Sequence, residues 1–391
     1  VSGHPVVGGA EARAVQAAAT ASVVARAVAS YGPVEGLRAV RAMRRAAKPF
    51  ADAFGPVRVV RAGRRWWPRF LLPSWPSPTF DRWADVRLAE AVRGAPDADY
   101  LSLVFLGVSA RCGLGCQHCS AADELAEVEP IPIASWNGLV RTLQERGLMQ
   151  LQLTGGEPMG RFDDVLSLLR SMRPGTDTWM NTSGVGLTPS RAQELADAGL
   201  VGVLVSIDHW DPAHHNAFRG GHPHVFDQAV AACRAAADAG LVVAVSPCPT
   251  RADLTPEWLD RMHGLAGALG AAYLRFVEPR AAGRWRGQAV DLTPAQVALL
   301  EAFERGANAD PARAHLPVVV NYDRLSRALG CPGAGDRSLY LDAHGQARSC
   351  PFCGSPQGDV FALGLDAVRA RLRTGGCGRH RSARPLAAAG G

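Results

Sequence analysis

The chain has 391 residues, a net charge of +6, 47% hydrophobic residues and 20% charged residues, which excludes a disordered chain and fits one large core with smaller attachments. Almost all the basicity is arginine, since Lys48 is the only lysine; this reads as codon bias in a GC-rich genome, and nucleic acid is not an expected partner. Nine cysteines in close groups suggest metal binding in a reducing cytoplasm rather than a secreted disulfide scaffold.

Residues 1–97 are read as an N-terminal extension. Two alanine-rich helical patterns, roughly 10–30 and 34–47, precede a stretch punctuated by Pro68, Pro73 and Pro76, where regular structure breaks. The apolar run Ala14–Ala29 is interrupted by Gln16, Thr20, Ser22 and Arg26 and is too short to span a membrane. It has no basic leader, so neither an anchor nor a secretory signal is expected. Between Arg38 and Arg69 ten basic side chains face one acid, Asp52. The plainer reading is a solvated helix face; the other is a docking patch for an acidic partner or a phosphate.

Residues 98–285 alternate short β-branched runs with amphipathic stretches. The runs are Leu101–Val108, Met149–Leu153, Thr176–Asn181, Val201–Ile207, Leu241–Val245 and Tyr273–Val277. Helical patterns fall at Ile133–Glu145, Phe162–Met172, Ser190–Ala198, Val225–Ala239 and Pro256–Leu269. Such alternation calls for a parallel sheet with helices outside and puts reactive groups at the carboxyl ends of the strands. The expected fold is α/β, a partial (β/α)6 TIM-like barrel. Residues 286–330 are read as a linker with one helix, Thr293–Arg305, and 331–391 as a small cysteine-bearing domain and tail.

The most informative residues are Cys112-Gly-Leu-Gly-Cys116-Gln-His-Cys119, just after the first strand of this series. Three thiolates in a loop made pliant by Gly113 and Gly115 can converge on one metal centre. A 4Fe–4S cluster takes four cysteines, so three leave one iron open. The competing reading is a zinc knuckle completed by His118.

This C-x3-C-x2-C triple resembles the signature of the radical S-adenosylmethionine (SAM) superfamily. Gly155-Gly156-Glu157-Pro158 resembles the family's GGEP motif, which implies contact with the SAM amino group. Asn181-Thr182-Ser183-Gly184 is similar to the family's polar turn, and Ser206-Ile207-Asp208 to its S-x-D step at the SAM ribose or carboxylate. Arg219-Gly220 resembles the segment whose arginine pairs with the SAM carboxylate, and His118 takes the usually aromatic place beside the adenine. The resemblance spans 101 to about 280. It implies cleavage of SAM by a reduced cluster to a 5′-deoxyadenosyl radical, which abstracts a hydrogen atom from the substrate. It also implies an electron donor such as flavodoxin or ferredoxin.

Cys331, Cys350, Cys353 and Cys377 resemble the SPASM extension or its shorter twitch form, implying a second, auxiliary 4Fe–4S cluster; a four-cysteine zinc site is the alternative. Cys248, after the fifth strand, is a candidate hydrogen-atom donor, though a free cysteine is more often a small buried apolar group. Asp208 is the other catalytic candidate. Cys233 reads as packing, the histidines from His209 to His224 as a solvated or substrate-facing loop. Glu278, Arg280 and Arg284 read as substrate contacts or surface ion pairs. A small-molecule enzyme of antibiotic or nucleoside biosynthesis is favoured slightly over a maturase of ribosomal peptides, because no β-rich leader-binding domain is evident before residue 97. From another class, a non-catalytic zinc or Fe–S protein remains open.

Overall fold

The computed structural model describes residues 4–54, 58–329, 337–352 and 355–375. Its strands are β1 (Val6–Val7), β2 (Val59–Ala62), β3 (Arg65–Trp67), β4 (Leu103–Ser109), β5 (Gln150–Gly155), β6 (Asp177–Thr182), β7 (Leu200–Val205), β8 (Val242–Val245), β9 (Tyr273–Phe276), β10 (Val318–Asn321), β11 (Ser338–Leu341) and β12 (Ala347–Arg348). Six of them, β4 to β9, coincide with the six predicted runs. The predicted helices are also present, several behind a capping residue followed by proline. Thr188, Asp211, Thr255 and Thr293 each accept a backbone N–H of the first turn, and the next residue, proline, supplies a fixed φ where no donor is needed.

The main sheet has the order β10-β9-β8-β7-β6-β5-β4-β11-β12, parallel throughout except for β11 with β12. It is the expected partial barrel, enlarged at both edges. The segment expected as a linker supplies β10, and the expected C-terminal domain supplies β11, which pairs Ser338 with Leu103. The boundaries at 285 and 331 are therefore not breaks in the sheet. Both added strands lie outside the regular strand–helix alternation from which the central six are read.

Alternation along the strands sorts two cores. Outward residues such as Leu106, Leu153, Met180, Val203, Val243 and Leu274 pack beneath the helices. Inward residues Trp179, Leu204, Ala244 and Tyr273 meet Val60, Trp67 and Phe70 of the N-terminal extension. Phe70 lies 4.8 Å from the Trp179 ring and 5.3 Å from that of Tyr273, edge-on to both. The antiparallel ribbon β1-β2-β3 thus stoppers the barrel at the amino ends of its strands.

Polar ties hold the stopper there. Arg58 donates to the carbonyls of Ala314 and Leu316, and Asp177 accepts from Thr79 Oγ1 at 2.8 Å. Arg58, counted in the basic stretch, is consequently buried and not part of a solvated face; burial lowers its pKa to about 10. Ahead of the ribbon, Gly9–Phe54 is helical on both sides of Gly32 (φ 76°, ψ 168°). A Cβ on Gly36 would stand 2.5 Å from the Ala27 carbonyl oxygen, so the two arms pack as a tight hairpin. Among the described residues no helix is long and apolar enough to cross a membrane.

Truncating the stopper should empty a buried aromatic site. Phe70→Ala is expected to destabilise the protein by about 3–5 kcal/mol, measured as a shift of the denaturant midpoint under anaerobic conditions, with the iron content of the folded fraction unchanged.

Candidate active site

The sequence motifs meet at the carboxyl ends of the parallel strands, opposite the stopper. The cysteine loop follows β4 and is gripped on three sides. Gly156 N donates to Ser109 O and Glu157 N to Arg111 O, both at 2.7 Å. Gln117 N donates to Phe218 O at 2.9 Å, and Arg284 N to Cys119 O at 3.1 Å. Glycines make this approach possible. A Cβ on Gly156 would stand 2.2 Å from Arg111 O, and one on Gly283 2.0 Å from Cys119 O.

Glu157, buried after β5, accepts four hydrogen bonds. Thr182 Oγ1 donates at 2.7 Å and Met159 N at 3.1 Å to one oxygen; Ser183 N and Oγ donate at 2.7 and 2.5 Å to the other. A carboxylate offers about four lone-pair sites, so these are filled, and Glu157 ties the turn after β5 to the turn after β6. Burial raises its pKa against those bonds, and a cation nearby would complete the charge balance. Asn181 donates from Nδ2 to Leu153 O at 3.3 Å and, with half-buried Ser206, lies at the strand ends facing the interior.

Asp208, after β7, is the hub. Arg219 Nε donates to its Oδ2 at 2.6 Å and the Cys248 amide to its Oδ1 at 2.9 Å. Its own amide donates to His215 Nδ1 at 3.2 Å. Burial opposes ionisation, but Arg219 outweighs it and brings the carboxyl down to about 2. Burial likewise opposes the charge on Arg219, and Asp208 with the Cys116 sulfur raises its pKa regardless. Arg219 Nη1 lies 3.8 Å from Cys116 Sγ, which puts the guanidinium at the edge of the thiol cluster.

His118 stacks on Phe218, with centroids 4.6 Å apart and planes 7° apart, and Trp285 lies 5.8 Å from it. Burial lowers its pKa to about 4, and its Nδ1 is a buried polar atom without a partner. A neutral ring with an open nitrogen beside two aromatic faces suits a planar, hydrogen-bonding group such as a purine. Cys112 and Cys119 are half-buried and Cys116 buried. Burial and the neighbouring sulfurs push the Cys119 thiol up to about 11, so three thiolates here call for a cationic centre. The donor set and the glycine cradle fit a cluster carrying SAM.

The remaining candidates divide. Cys248 is buried at the top of β8 beside Asp208; Cys233 is fully buried on helix Val225–Asp238. His214 meets Asp253 at 3.3 Å and stacks on His209. Glu278 is not a surface residue: it is buried and held in two bonds by Arg327, at 2.8 and 2.9 Å. Of the C-terminal cysteines, Cys350 is half-buried, whereas Cys331, Cys353 and Cys377 lie outside the described residues. The hairpin before Cys350 rests on the segment after Cys119, where Tyr340 donates to the Glu124 carboxylate and His344 Nε2 lies 2.9 Å from Glu124 O. Burial raises Glu124 to about 7. Nothing in the sequence pattern marked Glu124.

A cysteine loop held over the mouth of a parallel partial barrel, beside a buried Asp–Arg pair, defines a radical SAM enzyme. The family model for the radical SAM superfamily matches residues 106–264. The PqqA peptide cyclase of Streptomyces rochei is 30% identical over 271 residues, 68% of this chain and 71% of that protein. The GTP 3′,8-cyclase of Rhodococcus opacus (strain B4) is 32% identical over 214 residues, 49% of this chain and 58% of that one. Among solved structures, Streptococcus suis SuiB bound to S-adenosylmethionine superposes with a TM-score of 0.58 at 13% identity, covering 74% of this chain and 73% of that one. The peptide-bound anSMEcpe with AdoMet gives 0.54 at 15%, covering 72% and 90%. The chain belongs to the radical SAM superfamily.

Removing one partner of the buried pair should strand a charge. Asp208→Asn is expected to cost about 3–5 kcal/mol of stability, read by denaturant unfolding, and the double variant Asp208→Asn/Arg219→Met should recover most of it. SAM affinity, measured by equilibrium dialysis, should stay low in the double variant if Arg219 meets the SAM carboxylate.

Proposed function

We propose that this enzyme modifies a peptide by abstracting a hydrogen atom from one of its residues. The observation that carries this reading is the relationship to a PqqA peptide cyclase, which aligns over 271 residues, beyond the family segment 106–264. A GTP 3′,8-cyclase of Mycobacterium aligns almost as far, 29% identical over 263 residues, so a small-molecule substrate is kept as the second reading. The N-terminal extension does carry a β-ribbon, but it faces the barrel floor, so leader recognition falls to another surface.

When bound, a reduced 4Fe–4S cluster splits SAM to methionine and the 5′-deoxyadenosyl radical that abstracts the hydrogen atom. In this reading Cys112, Cys116 and Cys119 hold that cluster. Gly155 and Gly156 let the backbone approach SAM, Arg219 pairs with its carboxylate, and Ser206 and Asn181 face its ribose. His118 lies along its adenine. Cys331, Cys350, Cys353 and Cys377 hold an auxiliary cluster, and a flavodoxin or ferredoxin supplies electrons. An auxiliary centre held by these cysteines would take up the electron left on the substrate once the hydrogen atom is gone, and with loss of a proton the net reaction would be a two-hydrogen oxidation. Cys248 is the alternative: burial raises its pKa, keeping the S–H that a hydrogen donor needs for a redox-neutral epimerisation.

Anaerobic reconstitution is expected to load about eight irons per chain, falling to about four when Cys112, Cys116 and Cys119 are all replaced by alanine. Reduced enzyme with SAM should form 5′-deoxyadenosine, and a precursor peptide encoded beside the gene should accelerate this and emerge lighter by two hydrogens. Turnover of GTP with no change in the peptide would replace this reading with the small-molecule one. Retained turnover by Cys248→Ala, without solvent deuterium in the product, is the expected mark of oxidation.

A further inference from the structure

Among the described residues, Arg275 is a cation in the barrel interior that no carboxylate contacts. β9 sends Arg275 inward, between the outward residues Leu274 and Phe276. Register places it one residue past the β8–β9 pair Val245–Leu274, level with Ser246 and, through Val205–Val245, with Ser206. It therefore stands above the Trp179–Tyr273–Phe70 floor and below Asp208 and Cys248.

The groups that touch it are polar but uncharged, and the acid whose charge reaches it, Asp323, is engaged by Arg280. Nη1 donates to Ser246 Oγ at 3.4 Å, and the Tyr322 ring centroid is 5.6 Å from the guanidinium carbon. Arg275 Nε and the hydroxyls of Tyr273 and Tyr322 are buried polar atoms without partners. Arg219 is paired with Asp208, Arg324 with Glu304 and Arg280 with Asp323, while Arg58, which has no acid, is satisfied by backbone carbonyls. No carboxylate contacts Arg275 among the described residues. Burial lowers its pKa, the sign of a charge held against its solvation cost. A charge held at such a cost is a feature that functional sites carry at the expense of stability.

We propose that Arg275, with Tyr322 and Ser246 beside it, is the anchor for a substrate carboxylate in the reaction chamber. One guanidinium balances one monoanion through a forked pair of hydrogen bonds, whereas a phosphate dianion would leave a charge uncompensated in the interior. A carboxylate seated here directs the rest of the substrate upward, toward Asp208 and Cys248 and the radical source. The inference rests on the peptide reading only for what carries the carboxylate: an acidic side chain or a chain terminus close to the residue attacked.

The test needs no turnover. Holoenzyme loaded with SAM is titrated anaerobically with Nα-acetylglutamate N-methylamide and with its glutamine counterpart. The acid is expected to bind at least tenfold tighter, and Arg275→Met should erase the preference while leaving iron content, SAM affinity and uncoupled 5′-deoxyadenosine formation intact. Arg275→Lys should retain part of it. Because an unpaired charge is removed, Arg275→Met should also raise the melting temperature of the holoenzyme.

Equal binding of the two probes by the wild type, or an undiminished preference in Arg275→Met, overturns the proposal. So does a lower melting temperature in that variant, or GTP binding that depends on Arg275 in place of the acid preference. Failure of the peptide reading would appear separately, as an unmodified precursor peptide beside an intact acid preference.

Discussion

The site depends first on the buried pair of Asp208 and Arg219. Asp208 joins the end of β7 to the end of β8 through the Cys248 amide, and to the following helix through His215. Arg219 carries that frame to the cysteine loop, reaching the Cys116 sulfur. A buried ion pair is a weak source of net stability, because desolvation offsets most of the attraction. Its contribution here is geometric. Each partner is far costlier alone than paired, so two strand ends, a helix and a loop are held in one arrangement.

Around that pair, backbone does what side chains cannot. The cysteine loop is clasped by main-chain hydrogen bonds from Gly156–Glu157, from Phe218 and from Arg284, at separations that a Cβ would forbid at Gly156, Gly220 and Gly283. Glu157 then fastens the turn after β5 to the turn after β6. The three cysteines, the open nitrogen of His118 and the Asp208–Arg219 pair are thus presented by loops held in place by the protein's own hydrogen bonds, the kind of support that preorganises a site.

The barrel separates its two ends by chemistry. The amino ends of the strands are filled by Trp67 and Phe70 against Trp179 and Tyr273, a wholly structural task. The carboxyl ends carry the loops with the reactive groups, as parallel β/α architectures do. Between these ends the inward layer turns polar, with Ser206, Ser246 and Arg275. The C-terminal hairpin extends the sheet beside β4 and rests on the segment after Cys119 through Tyr340, His344 and Glu124. It is therefore anchored on the same strand that launches the cysteine loop.

Local pattern alone determined the six central strands, their helices and the chemistry of the cysteine loop. Each depends on neighbours within a few residues: alternating apolar positions, a capping Thr or Asp before proline, three thiols in one turn of loop. The ribbon at the barrel floor and the edge strands β10 and β11 were not legible, because these short segments fall outside the strand–helix alternation that marks β4 to β9 and exist only where a neighbouring strand offers hydrogen bonds. The sequence named Glu157, Asp208 and Arg219 as site residues. Only the tertiary structure decided that Glu157 is saturated by its own protein and that Asp208 and Arg219 neutralise each other. It also decided that Arg275, unremarkable in the run Tyr273–Phe276, points into the interior with no carboxylate touching it among the described residues. Which charges are compensated depends on what lies a few ångströms away in space, and that distance is not written along the chain.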